Sequence, residues 1–136
     1  MKQEVPNSFY RVSVKGLIFD ENREKFLIIK EDNGWWELPG GGLDWEESVE
    51  DALRREIKEE MGLTVTYISK EPLHYLRGLN MKDNYSINLV YEIKIDNLQE
   101  FIPSRECLEI KFVTPKEAKE MHAWRNVKEL AELLEK

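Results

Sequence analysis

The segment running from Ser48 to Gly62 places the tightest constraint on how this chain can fold. A helix is predicted over Ser48 to Met61, with Gly62 as its C-terminal stop. At about 100° per residue, Val49, Ala52 and Leu53 share one face and form a core stripe. One turn later that arc passes to Glu56, Glu59 and Glu60. Neighbours at i,i+3 and i,i+4 have Cβ atoms about 5–6 Å apart, so these carboxylates repel one another. Turned toward the fold, they are also costly to desolvate. A divalent cation relieves both costs at once, and oxygen-only ligands favour a hard ion, Mg²⁺ or Mn²⁺, over zinc. The plain alternative is a solvated acidic face partnered by Arg54, Arg55 and Lys58. The run Gly40-Gly41-Gly42 ahead of the helix weighs against it, because its amides and carbonyls can approach and hold a metal or a phosphate.

The rest of the chain alternates strand-like and turn-like pieces. Phe9 to Phe19 reads as a strand, with Arg11, Ser13 and Lys15 alternating against Val12, Val14 and Leu17. Phe26 to Ile29 is a second strand, and Trp35 to Leu38 a short extended piece ending at Pro39. Leu63 to Ile68, Leu73 to Leu76, Tyr85 to Ile95 and Leu108 to Val113 complete the strands. A second helix starts at Thr114, with Pro115 at its first position and Glu117 closing a capping box. Ala118, Met121, Val127, Leu130 and Leu134 form its apolar face. Strands with two separated helices predict a mixed sheet covered by helices, an α/β or α+β layered domain. At 136 residues and 41% hydrophobic content, one domain over 1–136 with its own core is expected.

Charge narrows the partners. Lys and Arg total 20 against 27 Asp and Glu, a net −7, which disfavours wrapping a nucleic-acid duplex. A small phosphorylated ligand remains compatible through a divalent cation. The single cysteine, Cys107, cannot form an internal bridge. No long apolar run is present and the first eight residues lack an apolar signal core, so a cytoplasmic protein without a membrane span is expected.

The residues around the acidic helix resemble the Nudix box. Gly41, five residues, Glu47, seven residues, Arg55-Glu56-Ile57, one residue, Glu59-Glu60, one residue and Gly62-Leu63 fit that pattern without a mismatch. The resemblance implies an α/β/α sandwich with a mixed sheet and hydrolysis of a nucleoside diphosphate linked to another moiety, using Mg²⁺ or Mn²⁺. It implies that Glu56, Glu59 and Glu60 bind metal together with the Gly40 carbonyl, and that Glu56 orients or deprotonates the attacking water. Arg55 then steadies the carboxylates and Glu47 pairs with it, a grip suited to a permanent, forked cation. Gly62 closes the motif's helix. Relatives recruit a further acid outside the box; Glu106 is preferred over Glu109, which is expected inside the following strand.

Substrate contacts are less constrained. Gly41, Gly42 and Arg11 are candidates for the phosphates, Trp35 and Trp45 for stacking on a base. Tyr75 and Tyr85 flank the Gly78–Asp83 loop, which could rim a pocket, and Lys15 and Arg77 are further cations. His74, His122 and Cys107 lack metal-ligand or nucleophile spacing. Family markers for ADP-ribose and diadenosine polyphosphates fit neither Pro72 nor Tyr75. A nucleoside triphosphate or nucleotide sugar is the working substrate class, for a monomer or homodimer, with a catalytically silent nucleotide-binding sensor as the alternative.

Overall fold

The computed structural model describes residues 9–79 and 85–135. Its strands are β1 (Arg11–Leu17), β2 (Phe26–Lys30), β3 (Trp36–Glu37), β4 (Gly40–Gly42), β5 (Val65–Ile68), β6 (His74–Leu79), β7 (Tyr85–Ile95) and β8 (Glu109–Val113). The helices are α1 (Val49–Met61), α2 (Pro115–Glu120) and α3 (Arg125–Leu134). The central sheet runs β4-β1-β7-β5, with β6 also on β7; β1 and β7 are parallel and the other pairings antiparallel. A smaller antiparallel sheet runs β3-β2-β8.

The layering follows from which strand residues are buried. β2 is apolar at four consecutive positions, the pattern of a strand covered on both faces. Leu27 and Ile29 pack with Val14, Ile93 and the α1 residues Ala52, Leu53, Ile57 and Met61. Phe26 and Ile28 pack with Leu17, Leu76, Val90 and the α3 residues Val127, Leu130 and Ala131. The sheets therefore lie between α1 on one side and α2 with α3 on the other, a mixed-sheet α+β sandwich as the sequence predicts.

The caps of α1 act as their residue types require. The Ser48 hydroxyl accepts the Asp51 N–H, and Gly62 ends the helix at φ 70°, in the left-handed region that glycine enters freely. The expected handover of the apolar stripe is less complete than predicted. Ile57 and Met61 continue the stripe, and of the three glutamates only Glu60 joins it, at 5% exposure. Glu56 sits at its margin and Glu59 is half-exposed.

The C-terminal helix is two helices. The Thr114 capping box with Pro115 starts α2 as expected, but the chain turns extended at Met121 and restarts at Arg125. Tertiary pairing explains the break. The Trp36 N–H donates to His122 O, and the Trp124 N–H donates to Trp36 O, so residues 122–124 complete the edge of β3 and cannot be helical. β6 is longer than expected, and Gly40–Gly42 form a short strand in which only Gly40 has positive φ. Asn80 to Asp83, within the suggested rim, lie outside the described residues, as do residues 1–8. Among the described residues no helix is long and apolar enough to cross a membrane.

Candidate active site

Three elements converge on the C-terminal half of α1: the β4 strand, the loop to α1 and the turn before β8. Carboxylate oxygens of Glu56, Glu59 and Glu106 all lie within 4.8 Å of one another. Glu106 belongs to the Ser104–Cys107 turn, and Glu109 begins β8. That turn is tied to the helix end, because the Ser104 hydroxyl donates to the Glu60 carbonyl at 2.8 Å and accepts the Cys107 N–H. Sequence reasoning missed Ser104, since nothing in its spacing links it to α1.

Arg55 organises the acids. Its guanidinium donates to both oxygens of Glu47 at 2.7 and 2.8 Å, to Glu56 at 3.0 Å, to Glu59 at 3.4 Å and to the Gly42 carbonyl at 3.2 Å. These contacts hold the Glu47 carboxyl below its ordinary value and raise Arg55 still further. Burial pushes Glu56 the other way, upward, although Arg55 moderates it.

Glu60 points inward rather than into the 4.8 Å cluster. Its Oε1 accepts the Gly40 N–H at 2.9 Å, and burial pushes its carboxyl up to about 8, opposed by the Lys15 cation and the Gly40 bond. Lys15 is buried here rather than solvated, with Nζ 3.3 Å from the Gly40 carbonyl.

Each glycine of β4 accommodates a different neighbour. A Cβ on Gly40, which has φ 119°, would collide with the Val14 carbonyl. One on Gly41 would stand 2.6 Å from the Glu56 carboxylate. At Gly42 it would meet the Arg11 guanidinium. Arg11 also donates to the Leu43 carbonyl and stands 4.0 Å from Asp44, which in turn lies 3.4 Å from Arg55.

The remaining candidates lie elsewhere. Trp45, in the loop between β4 and α1, is 94% exposed. Trp35 stacks on Trp124 at a centroid distance of 4.5 Å and lies tilted against His122 at 3.6 Å, so its ring is engaged by the protein itself. Tyr85 approaches Tyr10 and lines a separate groove of about 850 Å³ with Tyr75, Arg77 and Arg125. His74 lies in β6. Cys107 is fully buried and its thiol is pushed up to about 12 by burial, leaving it protonated and unreactive.

The donors near α1 are carboxylates and a backbone carbonyl, a hard set suited to Mg²⁺ or Mn²⁺ and unsuited to soft metals. Residues in this number and proximity fit such an ion.

Comparison with known proteins places the fold and the family. The MutT protein of Methanosarcina mazei Go1 superposes with a TM-score of 0.77 at 23% identity, covering 96% of each chain, which shows the fold. The curated relatives align over part of the chain. A MutT-like protein of Streptomyces ambofaciens is 43% identical over 56 residues, 41% of this chain and 36% of its own. The RNA pyrophosphohydrolase of Ruthia magnifica subsp. Calyptogena magnifica is 41% identical over 63 residues, 44% of this chain and 34% of its own. These alignments span about a third of those relatives' lengths. The nucleoside triphosphatase NudI of Escherichia fergusonii is 32% identical over 92 residues, 62% of this chain and 64% of its own. The model of the NUDIX domain matches residues 9–135. That match takes in every element from β1 to α3, and the chain belongs to the Nudix hydrolase family.

Proposed function

We propose that this chain hydrolyses a pyrophosphate bond in a nucleoside diphosphate linked to another moiety, with Mg²⁺ (or Mn²⁺) as cofactor. The approach of Glu56, Glu59 and Glu106 to within 4.8 Å carries the proposal. Those three carboxylates, with the Gly40 carbonyl and Glu60, are the residues that would hold the ion. When bound, a divalent cation neutralises phosphoryl oxygens and lowers the pKa of water. Glu56, held by Arg55, orients the attacking water and accepts its proton. Glu47 keeps Arg55 in place, and Arg55 bridges Glu56 and Glu59, offsetting the repulsion between them. Arg11, half-exposed beside Gly42, binds a substrate phosphate, and exposed Trp45 offers a face for a base. The relatives' names, pyrophosphohydrolase and nucleoside triphosphatase, support this class; a nucleoside triphosphate or a nucleotide sugar is the preferred substrate.

The test is phosphate or pyrophosphate release from nucleoside triphosphates (including oxidised ones), ADP-ribose, nucleotide sugars, diadenosine polyphosphates and NADH, with and without Mg²⁺. Turnover is expected to require the metal and to fall by several orders of magnitude in Glu56→Gln and Glu60→Gln, with the fold retained. Absence of turnover with every substrate, while nucleotides still raise the melting temperature, would replace this reading with a catalytically silent nucleotide sensor.

A further inference from the structure

Three successive carbonyls, those of Leu38, Pro39 and Gly40, turn onto two residues of β1. The Lys15 ammonium donates to Leu38 O at 3.5 Å and to Gly40 O at 3.3 Å. The Gly16 N–H donates to Pro39 O at 2.9 Å. Glu37 places Oε2 3.9 Å from the same ammonium, and the Lys15 side chain is 8% exposed. Buried lysines are retained where oxygens compensate the lost water, and here those oxygens belong to the strand and turn that lead into β4. On its other side, Gly40 gives its N–H to Glu60 at 2.9 Å. One residue's backbone is thus held at its carbonyl by Lys15 and at its amide by Glu60.

We propose that Lys15 is a positioning residue of the metal site, aiming the Gly40 carbonyl directly and the Glu60 carboxylate through the Gly40 backbone. It rests on the metal-dependent reading above, and extends it to a residue outside the box. Groups behind metal ligands commonly set affinity by orienting them. The opposite role is well defined. A lysine that merely adds positive charge near a cation repels it, and its removal tightens metal binding. A lysine that aims the donors weakens binding when removed.

The sign of that change is the test. Mn²⁺ alone is titrated into the whole chain and into Lys15→Met, which keeps the apolar stem and removes the charge, with binding followed by calorimetry and folding by circular dichroism. The expected result is Mn²⁺ binding at least about tenfold weaker in a folded Lys15→Met. Equal or tighter binding in that variant overturns the proposal. Should Lys15→Met fail to fold, the parent protein decides: its Lys15 ammonium and Gly40 amide resonances are expected to shift together as Mg²⁺ is added. A Lys15 resonance that stays still while Gly40 moves overturns it. A parent chain that binds no Mn²⁺ overturns the metal-dependent reading itself, which separates that failure from this one.

Discussion

Arg55 grips Glu47 through two parallel hydrogen bonds, Nε to Oε2 at 2.7 Å and Nη2 to Oε1 at 2.8 Å. The remaining Nη1 donor is therefore aimed at Glu56 and Glu59. A lysine keeps the charge but lacks the fork. Arg55→Lys is expected to lower turnover by about ten- to hundredfold, with a melting temperature close to the parent's, because it acts by releasing the orientation of Glu56. Steady-state kinetics beside a thermal melt reads both; parent-level turnover would remove Arg55 from the site.

The metal-free protein should lose stability as pH rises. Burial pushes the folded Glu60 carboxyl up to about 8, whereas an unfolded glutamate titrates near about 4.3. Between those values the native state carries the extra proton, so the contribution is fully present below the lower value and lost as pH approaches the upper one. Glu47, Glu92 and Glu117 are shifted downward; their contributions are lost only in acid, outside this window. The melting temperature measured in chelator is expected to fall between about pH 5 and about pH 8 and then level off. Burial raises Glu31 and Glu56 in the same direction, so Glu60→Gln should make the profile shallower, and Mn²⁺ should restore the alkaline end. A rising melting temperature in chelator would contradict the burial of Glu60.

Alanine at the two neighbouring glycines should separate stability from chemistry. At Gly40 it meets φ 119° and the Val14 carbonyl, and strain of this kind costs about 1–3 kcal/mol before the collision is added. At Gly41 it meets the end of the Glu56 side chain, which can yield. Gly40→Ala is expected to lower the melting temperature more, and Gly41→Ala to keep the fold while turnover falls at least about tenfold as Glu56 moves. Denaturant unfolding and kinetics on both variants read the contrast; the reverse order would invalidate it.

Trp124 connects the break between α2 and α3 to the rest of the fold. Its indole N–H donates to Glu31 at 2.6 Å, and its ring stacks on Trp35. Burial raises the Glu31 carboxyl and the indole bond opposes that rise. Trp124→Phe keeps an aromatic ring but leaves Glu31 without this donor, an expected loss of about 2 kcal/mol. Urea unfolding measures it, and a change below about 0.5 kcal/mol would mark the bond as unimportant.

Much of the site was legible because the signals were local. Ser48 and Gly62 announce the ends of α1, and the spacing of Glu56, Glu59 and Glu60 announces charge on a helix that must also be packed. Position within that helix was less legible: Ile57 and Met61 hold the apolar stripe, so Glu59 turns outward and Glu60 inward. The break at Met121 was invisible for a physical reason. Met121 and Val127 still pack against one core, so apolar periodicity continues across residues whose backbone is claimed by Trp36. The inward course of Lys15 was hidden similarly, since its partners are main-chain carbonyls that any sequence supplies.

The bridge between Trp36 and Ala123 also bears on the order of synthesis. β3, which leads into the glycine strand, receives its second neighbour from residues 122–124, distant in sequence. A chain still emerging from the ribosome can form α1 and its carboxylates, yet the edge that steadies their glycine support must await residues 122–124. Pairings between such distant segments are closed against chain entropy and tend to be made late. Support for the glycine strand is thereby coupled to a pairing that spans 87 residues of sequence, Trp36 to Ala123.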